Sequence, residues 1–358
     1  MQGLQMRRAA AAPRAFAASR AAPPVRPAAA SRRRSAAVEA AKVALLGASS
    51  PVGQPLSLLL KMDGLISDLA LYDVAGVAGI AADLSHCNTP IKVSSYTGPE
   101  LEGALKGADL VVIAAGVPKT PGMGPNEVFT VNASIVRSLC AAVARFSPKA
   151  VVAVVTGPVN STIPVASETL KAAGVYDPRR LLGVTTVTEV RANTFAASAA
   201  RLEVSEVDVP VVCGASGPTA VPLFSLAKPP LPLSAAERAA VMQRLQRAEG
   251  EVAETPATPS GPALAVAYGA ARFVESVLLG LAGEADVYET AFIEAEVVAG
   301  LPYFATRVQL GPGGIKSVVG IKELDALEEA ALNAAAPQLL GDIEKGKMFV
   351  RQPAAARA

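Results

Sequence analysis

The stretch "KVALLGASSPVGQPLSLLLK", from Lys42 to Lys61, followed by "DLALYDV" at 68–74, restricts the possible folds of this chain more than any other feature. The run at 42–47 is β-branched and leucine-rich and reads as a short buried strand. A turn holding Gly47 and Gly53 follows, and apolar residues at Val52, Leu56, Leu59 and Leu60 then set a helical period. A second apolar strand ends in Asp73, twenty residues past Gly53. Strand, glycine turn, helix and strand in that order imply a right-handed crossover and a parallel sheet. An acid at that distance suits the two hydroxyls of an adenosine ribose. The glycine spacing is weak by itself and gains weight from the elements around it. The competing reading is a plain α/β crossover with a chance acid.

The rest of the first half keeps the alternation. "ADLVVIAAGV" (108–117) reads as a strand, 126–146 as a helix, and "AVVAVVTGPVN" (150–160) as a strand entering a turn. The second half differs. A long helix is expected over 185–202, and "VDVPVVCG" and "TAVPLFSL" read as a hairpin. A helix over 234–254 opens on a capping box, Ser234 with Glu237. Three prolines in "TPATPSGP" (255–262) must interrupt it. A further helix follows, and a C-terminal helix should kink or break at Pro337. The expected architecture is α/β: a leader at 1–40, a Rossmann-type doubly wound parallel sheet at 41–184, a mixed α+β domain at 185–350, and a tail at 351–358.

Charge separates the leader from the body. Residues 1–38 hold eight arginines and no acid, set among Ala, Pro and Ser. That is the composition of an organelle transit peptide; a secretory signal would need an apolar core segment. Without that segment 25 basic residues face 31 acids, a net charge of about −6. The body therefore has no electrostatic reason to seek nucleic acid, and the competing reading of the leader is a basic nucleic-acid-binding arm. No apolar run reaches the length of a membrane span. The three cysteines, Cys87, Cys140 and Cys213, lack metal-ligand spacing and read as buried thiols in a reducing compartment, so no metal is expected.

"GASSPVG", "LYDVAGVAGIAADLSHCNT", "AAGVPKTPGM", "GPVNSTIP", "GVTTVTEVRANTF" and "GIKELDALEEA" together resemble NAD-dependent malate dehydrogenases of the mitochondrial and plastid type, from about Lys42 to Val350. The resemblance implies NAD as cofactor and a homodimer or higher oligomer. It also implies hydride transfer between malate and NAD, giving oxaloacetate. "VEAA" at 38–41 resembles the cleavage region of green-algal plastid transit peptides, which favours the plastid stroma, with the mitochondrial matrix as the alternative.

Carried over residue by residue, the family's site is only partly kept. Its catalytic histidine falls on Ala215 in "CGASGPT", and the aspartate that orients the histidine falls on Thr188 in "TTVTEVRANTF". Glu189 is adjacent to Thr188, but one step along a helix turns it about 100° away. Arg191 matches the substrate-binding arginine. In the family's mobile loop Lys119 keeps a charge without an arginine's fork, and Pro125 replaces the second arginine. Gly157 stands in place of a ligand-contacting asparagine. On the cofactor side Gly47, Gly53, Asp73 and Asn132 match. Ser50 and Pro51 replace two glycines of the phosphate loop, and a proline has no N–H to offer a pyrophosphate. His86, the one histidine, matches a structural histidine of the family away from the hydride-transfer site.

Three functional readings follow. One is a malate dehydrogenase-like protein with impaired or absent catalysis, acting as a scaffold or as a non-catalytic subunit beside an active relative, with weakened NAD binding. A second is a working NAD-linked malate dehydrogenase. A third is a module that binds NAD(H) without reacting.

Overall fold

The computed structural model describes residues 40–118, 123–255 and 262–351. All but the last residue of the expected transit peptide at 1–40, the position of Lys119 and most of the proline-rich 255–262 segment lie outside them. Six strands come first: β1 (Ala41–Leu46), β2 (Ile66–Asp73), β3 (Lys92–Thr97), β4 (Leu110–Ile113), β5 (Val151–Val154) and β6 (Leu181–Val184). They form a parallel sheet in the order β3-β2-β1-β4-β5-β6. The helices between them are α1 (Gly53–Lys61), α2 (Val77–Ser85), the short α3 (Leu101–Leu105), α4 (Pro125–Phe146) and α5 (Val159–Ala172).

Strands covered on both faces should read as continuous apolar runs, and β4 "LVVI" and β5 "VVAV" are buried throughout. Alternate side chains of such a strand enter opposite layers. Ala44, Leu46, Val111, Ile113, Val152 and Val154 pack on the side of α4 and α5. Val43, Leu45, Leu110, Val112, Val151 and Ala153 pack on the side of α1 and α2.

The second half supplies α6 (Thr186–Ala200), β7 (Val211–Cys213), β8 (Ala220–Pro222), α7 (Ala235–Ala253) and α8 (Ala263–Leu281). It ends with β9 (Tyr288–Ile293), β10 (Phe304–Gly311), β11 (Gly314–Val318) and α9 (Ala326–Arg351). The expected hairpin is present, with Val212 opposite Val221 and Cys213 opposite Ala220. The capping box at the start of α7 is present too: the Glu237 N–H donates to Ser234 Oγ, and Glu237 Oε2 accepts from the Ser234 N–H at 2.8 Å.

Three features go beyond the sequence reading. The two halves share one sheet: β6 pairs antiparallel with β9, Gly183 facing Phe292, and the order continues β9-β10-β7-β8, with β11 on β10. Helix α9 runs through Pro337 without a break. Pro337 and Asn333, whose carbonyl loses its donor, both face solvent, while Leu332, Ala335, Leu339 and Ile343 anchor the helix from its buried side. Finally, α4 over Asn126–Phe146 and α8 are long and apolar enough, by length and composition, to cross a membrane. Counting uninterrupted apolar residues missed them because Arg137 and Arg145, or Arg272 and Glu275, break the runs. Both are core helices here: α4 packs Val136, Cys140 and Val143 on one face of the sheet, and α8 packs Phe273, Val274 and Val277 on the other.

Candidate functional site

The dinucleotide turn lies at the carboxyl ends of the strands, where open α/β sheets bind ligands. Gly47 has φ +97°, and a Cβ there would collide with the backbone of Ala114 and Ala115, so the chain can turn over β4 only with glycine. A Cβ on Gly53 would strike the carbonyl of Gly47. Asp73 closes β2, and its carboxylate accepts the Ser49 N–H (2.9 Å) and the Val74 N–H (2.7 Å). Each carboxylate oxygen keeps a lone pair for a further donor such as a ribose hydroxyl. This end of the turn fits the adenosine end of NAD.

At the other end of the turn most of the loop's amides are engaged or absent. Ser50 Oγ accepts the Gly53 N–H at 2.9 Å and donates to the Ala114 carbonyl at 3.2 Å. The Ser50 N–H donates to the Gly47 carbonyl, and Pro51 has none. Val52 is therefore the one residue of the 49–53 loop whose N–H has no partner among the described residues. Sequence reasoning assigned Ser50 only bulk; the structure shows it capping the helix end that a phosphate would use.

Asn132, on α4, is buried behind the loop after β4. Its Oδ1 accepts the Val117 N–H (2.8 Å), and its Nδ2 donates to the carbonyls of Val117 (3.2 Å) and Gly157 (2.8 Å). With both amide hydrogens used, it positions the two loops of the site and has none left for a ligand. A Cβ built on Gly157 meets nothing within 4 Å, so the missing side chain leaves open space.

Ala215 and Thr188 do meet. Thr188 Oγ1, on α6, donates to the Ala215 carbonyl at 2.6 Å, and the Ala215 N–H donates to Asn160 Oδ1 at 2.8 Å. Asn160 is itself fixed by Thr219 Oγ1 (3.0 Å) and by Asp342 Oδ2 on α9 (3.1 Å). The loop is thus rigidly presented, and Ala215 and Thr188 are only 4% and 3% exposed. Asn160 was visible in "GPVN" but not singled out. Asp342 lies 182 residues away along the chain and carried no sequence signal.

Arg191 is three residues after Thr188 and lies on the same face of α6. It is 9% exposed, its Nη1 lies 3.7 Å from Glu249 Oε1 on α7, and its buried Nη2 has no hydrogen-bond partner among the described residues. Burial lowers its pKa, and the Glu249 charge opposes that shift. Glu189 turns away, as its helical position requires. It is buried against Arg307 (3.2 Å) and Thr290 Oγ1 (3.3 Å), and Arg307 also holds Asp208 (2.9 Å). Burial pushes the Glu189 carboxyl up to about 7, against the pull of Arg307. Pro125 begins α4, and Lys119 lies outside the described residues. Among the described residues no group of His, Cys, Asp and Glu is arranged to hold a metal.

The lactate/malate dehydrogenase NAD binding domain matches residues 41–183, and the lactate/malate dehydrogenase alpha/beta C-terminal domain matches 185–350. The chain is 48% identical over 320 residues to the chloroplastic malate dehydrogenase of Arabidopsis thaliana, covering 88% of this chain and 79% of that protein. It is 45% identical to the mitochondrial malate dehydrogenase of Eucalyptus gunnii, covering 89% and 92%. In fold it is similar to the crystal structure of Cryptosporidium parvum malate dehydrogenase (TM-score 0.75, 23% identity, 86% of this chain and 99% of that one). It is also similar to the lactate dehydrogenase of Eimeria maxima with NADH and oxamate (TM-score 0.74, 19% identity, 87% and 96%). Chloroplastic and mitochondrial relatives support an organellar location, with the plastid favoured. By its matched domains and its relatives, this chain belongs to the lactate/malate dehydrogenase family and is a malate dehydrogenase-like protein of the NAD-dependent oxidoreductase class.

Proposed function

We propose that the chain keeps the family's dinucleotide fold and its carboxylate-binding arginine but is impaired or inactive as a malate dehydrogenase, serving as a non-catalytic subunit or scaffold. The observation that carries this reading is the Ala215 peptide pinned between Thr188 and Asn160. Oxidising malate requires a group to take the hydroxyl proton, and a positioned base contributes roughly 10²–10⁴ in rate. At the loop that should hold it, Ala215 has no such group and Ser216 offers only an unassisted hydroxyl. The thiol of Cys213, two residues before, is buried and its pKa is pushed up to about 12, so it stays protonated. Bound NAD would supply the hydride acceptor. Asp73 would hold its ribose, Asn132 would fix the loops beside it, and Arg191 would clamp a substrate carboxylate.

Weakened NAD binding belongs to the same proposal, because Ser50 and Pro51 take two amides of the phosphate loop out of use. The proposed assembly is a dimer, with itself or with an active relative. It is supported by the resemblance and by exposed Leu58 on α1, Met62 just after it, and Leu264 and Tyr268 on α8, two helices that pack together. A chain that stays monomeric by mass photometry, alone and co-expressed with an authentic relative, removes the subunit role.

Steady-state reduction of oxaloacetate by NADH decides between this reading and a working enzyme, which the 48% identity to a chloroplastic malate dehydrogenase favours. Turnover near an ordinary enzyme value of about 10 s⁻¹ would overturn the impaired reading. NADH binding without turnover would support it and leave an NAD(H)-binding module as one form of the non-catalytic role.

A further inference from the structure

The surroundings of Arg191 have a feature that substrate binding does not require. Helix α7 is fastened across α6 and onto β8, the strand that follows the Ala215 loop. The Arg244 guanidinium lies 4.0 Å from the centre of the Phe195 ring on α6, and Gln246 Nε2 donates to the Ala220 carbonyl at 3.2 Å. Glu249 is three residues beyond Gln246, so it shares the face of α7 turned toward the loop. This puts its carboxylate next to Arg191, a residue 58 positions earlier in the chain.

The two partners are held unequally. Arg191 is buried, whereas the Glu249 side chain is 55% exposed. At 3.7 Å the contact is an ion pair too long to be a hydrogen bond. A carboxylate that satisfied a guanidinium would lie across two of its N–H groups at about 2.7–2.9 Å. Glu249 approaches Nη1 alone and leaves Nη2 buried and unmatched among the described residues. The arginine is fixed in place, while its acid partner is tethered by one side on a solvent-facing arm.

We propose that Glu249 is a resident carboxylate that competes for the anion site of Arg191, so that a small dicarboxylate or 2-oxo acid binds only by displacing it. This rests on Arg191 being the ligand-binding arginine, and it adds a regulatory residue that the resemblance does not supply. The site is self-occupied by a loose internal anion. An incoming carboxylate gains the bidentate geometry that Glu249 lacks, and its affinity is reduced by the population in which Glu249 is docked. Glu249 then swings into water, which its exposure permits.

The test is calorimetric titration of malonate, an unreactive dicarboxylate, into the full chain with NADH present at low ionic strength. Glu249→Gln should bind malonate roughly five- to tenfold more tightly than the unaltered chain. Arg191→Gln combined with Glu249→Gln should abolish binding. Glu251→Gln removes a similarly exposed charge two residues along α7, where it pairs with Arg244 at 2.8 Å, and should stay within about twofold of the unaltered chain. The inference is overturned if Glu249→Gln changes affinity less than about twofold, or if Glu251→Gln gives the same gain, which would mark a general charge effect. If Arg191→Gln alone abolishes binding while Glu249→Gln does nothing, the competition fails and Arg191 keeps its role. If no variant binds malonate, both fall together. None of these readouts needs turnover.

Discussion

At the scale of single residues, the proposal of impaired catalysis rests on two side chains, Ala215 and Thr188. A histidine at 215 would need a partner at 188 to fix its tautomer, and the hydroxyl of Thr188 is committed to the Ala215 carbonyl. Ala215→His alone should therefore raise oxaloacetate reduction less than tenfold, while Ala215→His with Thr188→Asp should raise it by about 10² or more. Equal rates for the two variants would refute the pairing. Glu189 gives a pH signature. Its folded pKa, near 7, lies above the ordinary carboxylate value of 4.5, so the native state holds the proton longer than the unfolded state. The stability contributed by this group is full below about pH 4.5 and is lost as pH rises toward 7. Urea unfolding across that window should show the unaltered chain losing stability relative to Glu189→Gln. A pH-independent difference would mean that Arg307 dominates and Glu189 stays ionised. The direction in which Glu189 points was legible from helical geometry. Its partners Thr290 and Arg307 were not, because they lie on other elements 101 and 118 residues further along.

At the scale of elements, the turn between β1 and α1 shows how local chemistry edits a retained shape. Gly47 and Gly53 keep the backbone path, since a side chain at either would collide with backbone. Ser50 and Pro51 change what that backbone offers a phosphate. Pro51→Gly returns one N–H and should tighten NADH roughly three- to tenfold in a fluorescence titration, consistent with a charge-assisted hydrogen bond of about 1 kcal/mol. An unchanged affinity would show that the phosphate is held elsewhere. The strands, the crossover and the capping box were legible because each depends on residues close in sequence. The break considered for α9 does not occur, because the carbonyl freed by Pro337, that of Asn333, faces water while Leu332, Leu339 and Ile343 hold the helix down.

At the scale of the whole molecule, the two halves form one body through the β6–β9 pairing, which sequence alternation did not reveal. Gly183 sits at that seam, where an added Cβ would approach Val159 Cγ1 at 2.7 Å, Ile163 Cγ1 at 2.8 Å and Phe292 Cβ at 3.0 Å. Gly183→Val should lower the unfolding free energy by about 1–3 kcal/mol through overpacking, seen as a lower urea midpoint. An unchanged midpoint would mean that the seam is looser than its contacts imply. The sequence alone determined the parallel sheet, the dinucleotide turn and the family, and its resemblance pointed to Ala215 and Thr188 as the positions on which the proposed loss of catalysis rests. Those are properties of local pattern and residue identity. Only the tertiary structure decided that Ala215 is pinned by Thr188 and Asn160, that Ser50 caps the helix, and that Glu249 lies against Arg191. Except for the Ser50 cap, these contacts join segments brought together by the packing of α5, α6 and α7 around one loop, and no pattern along the chain encodes which distant charge meets which arginine.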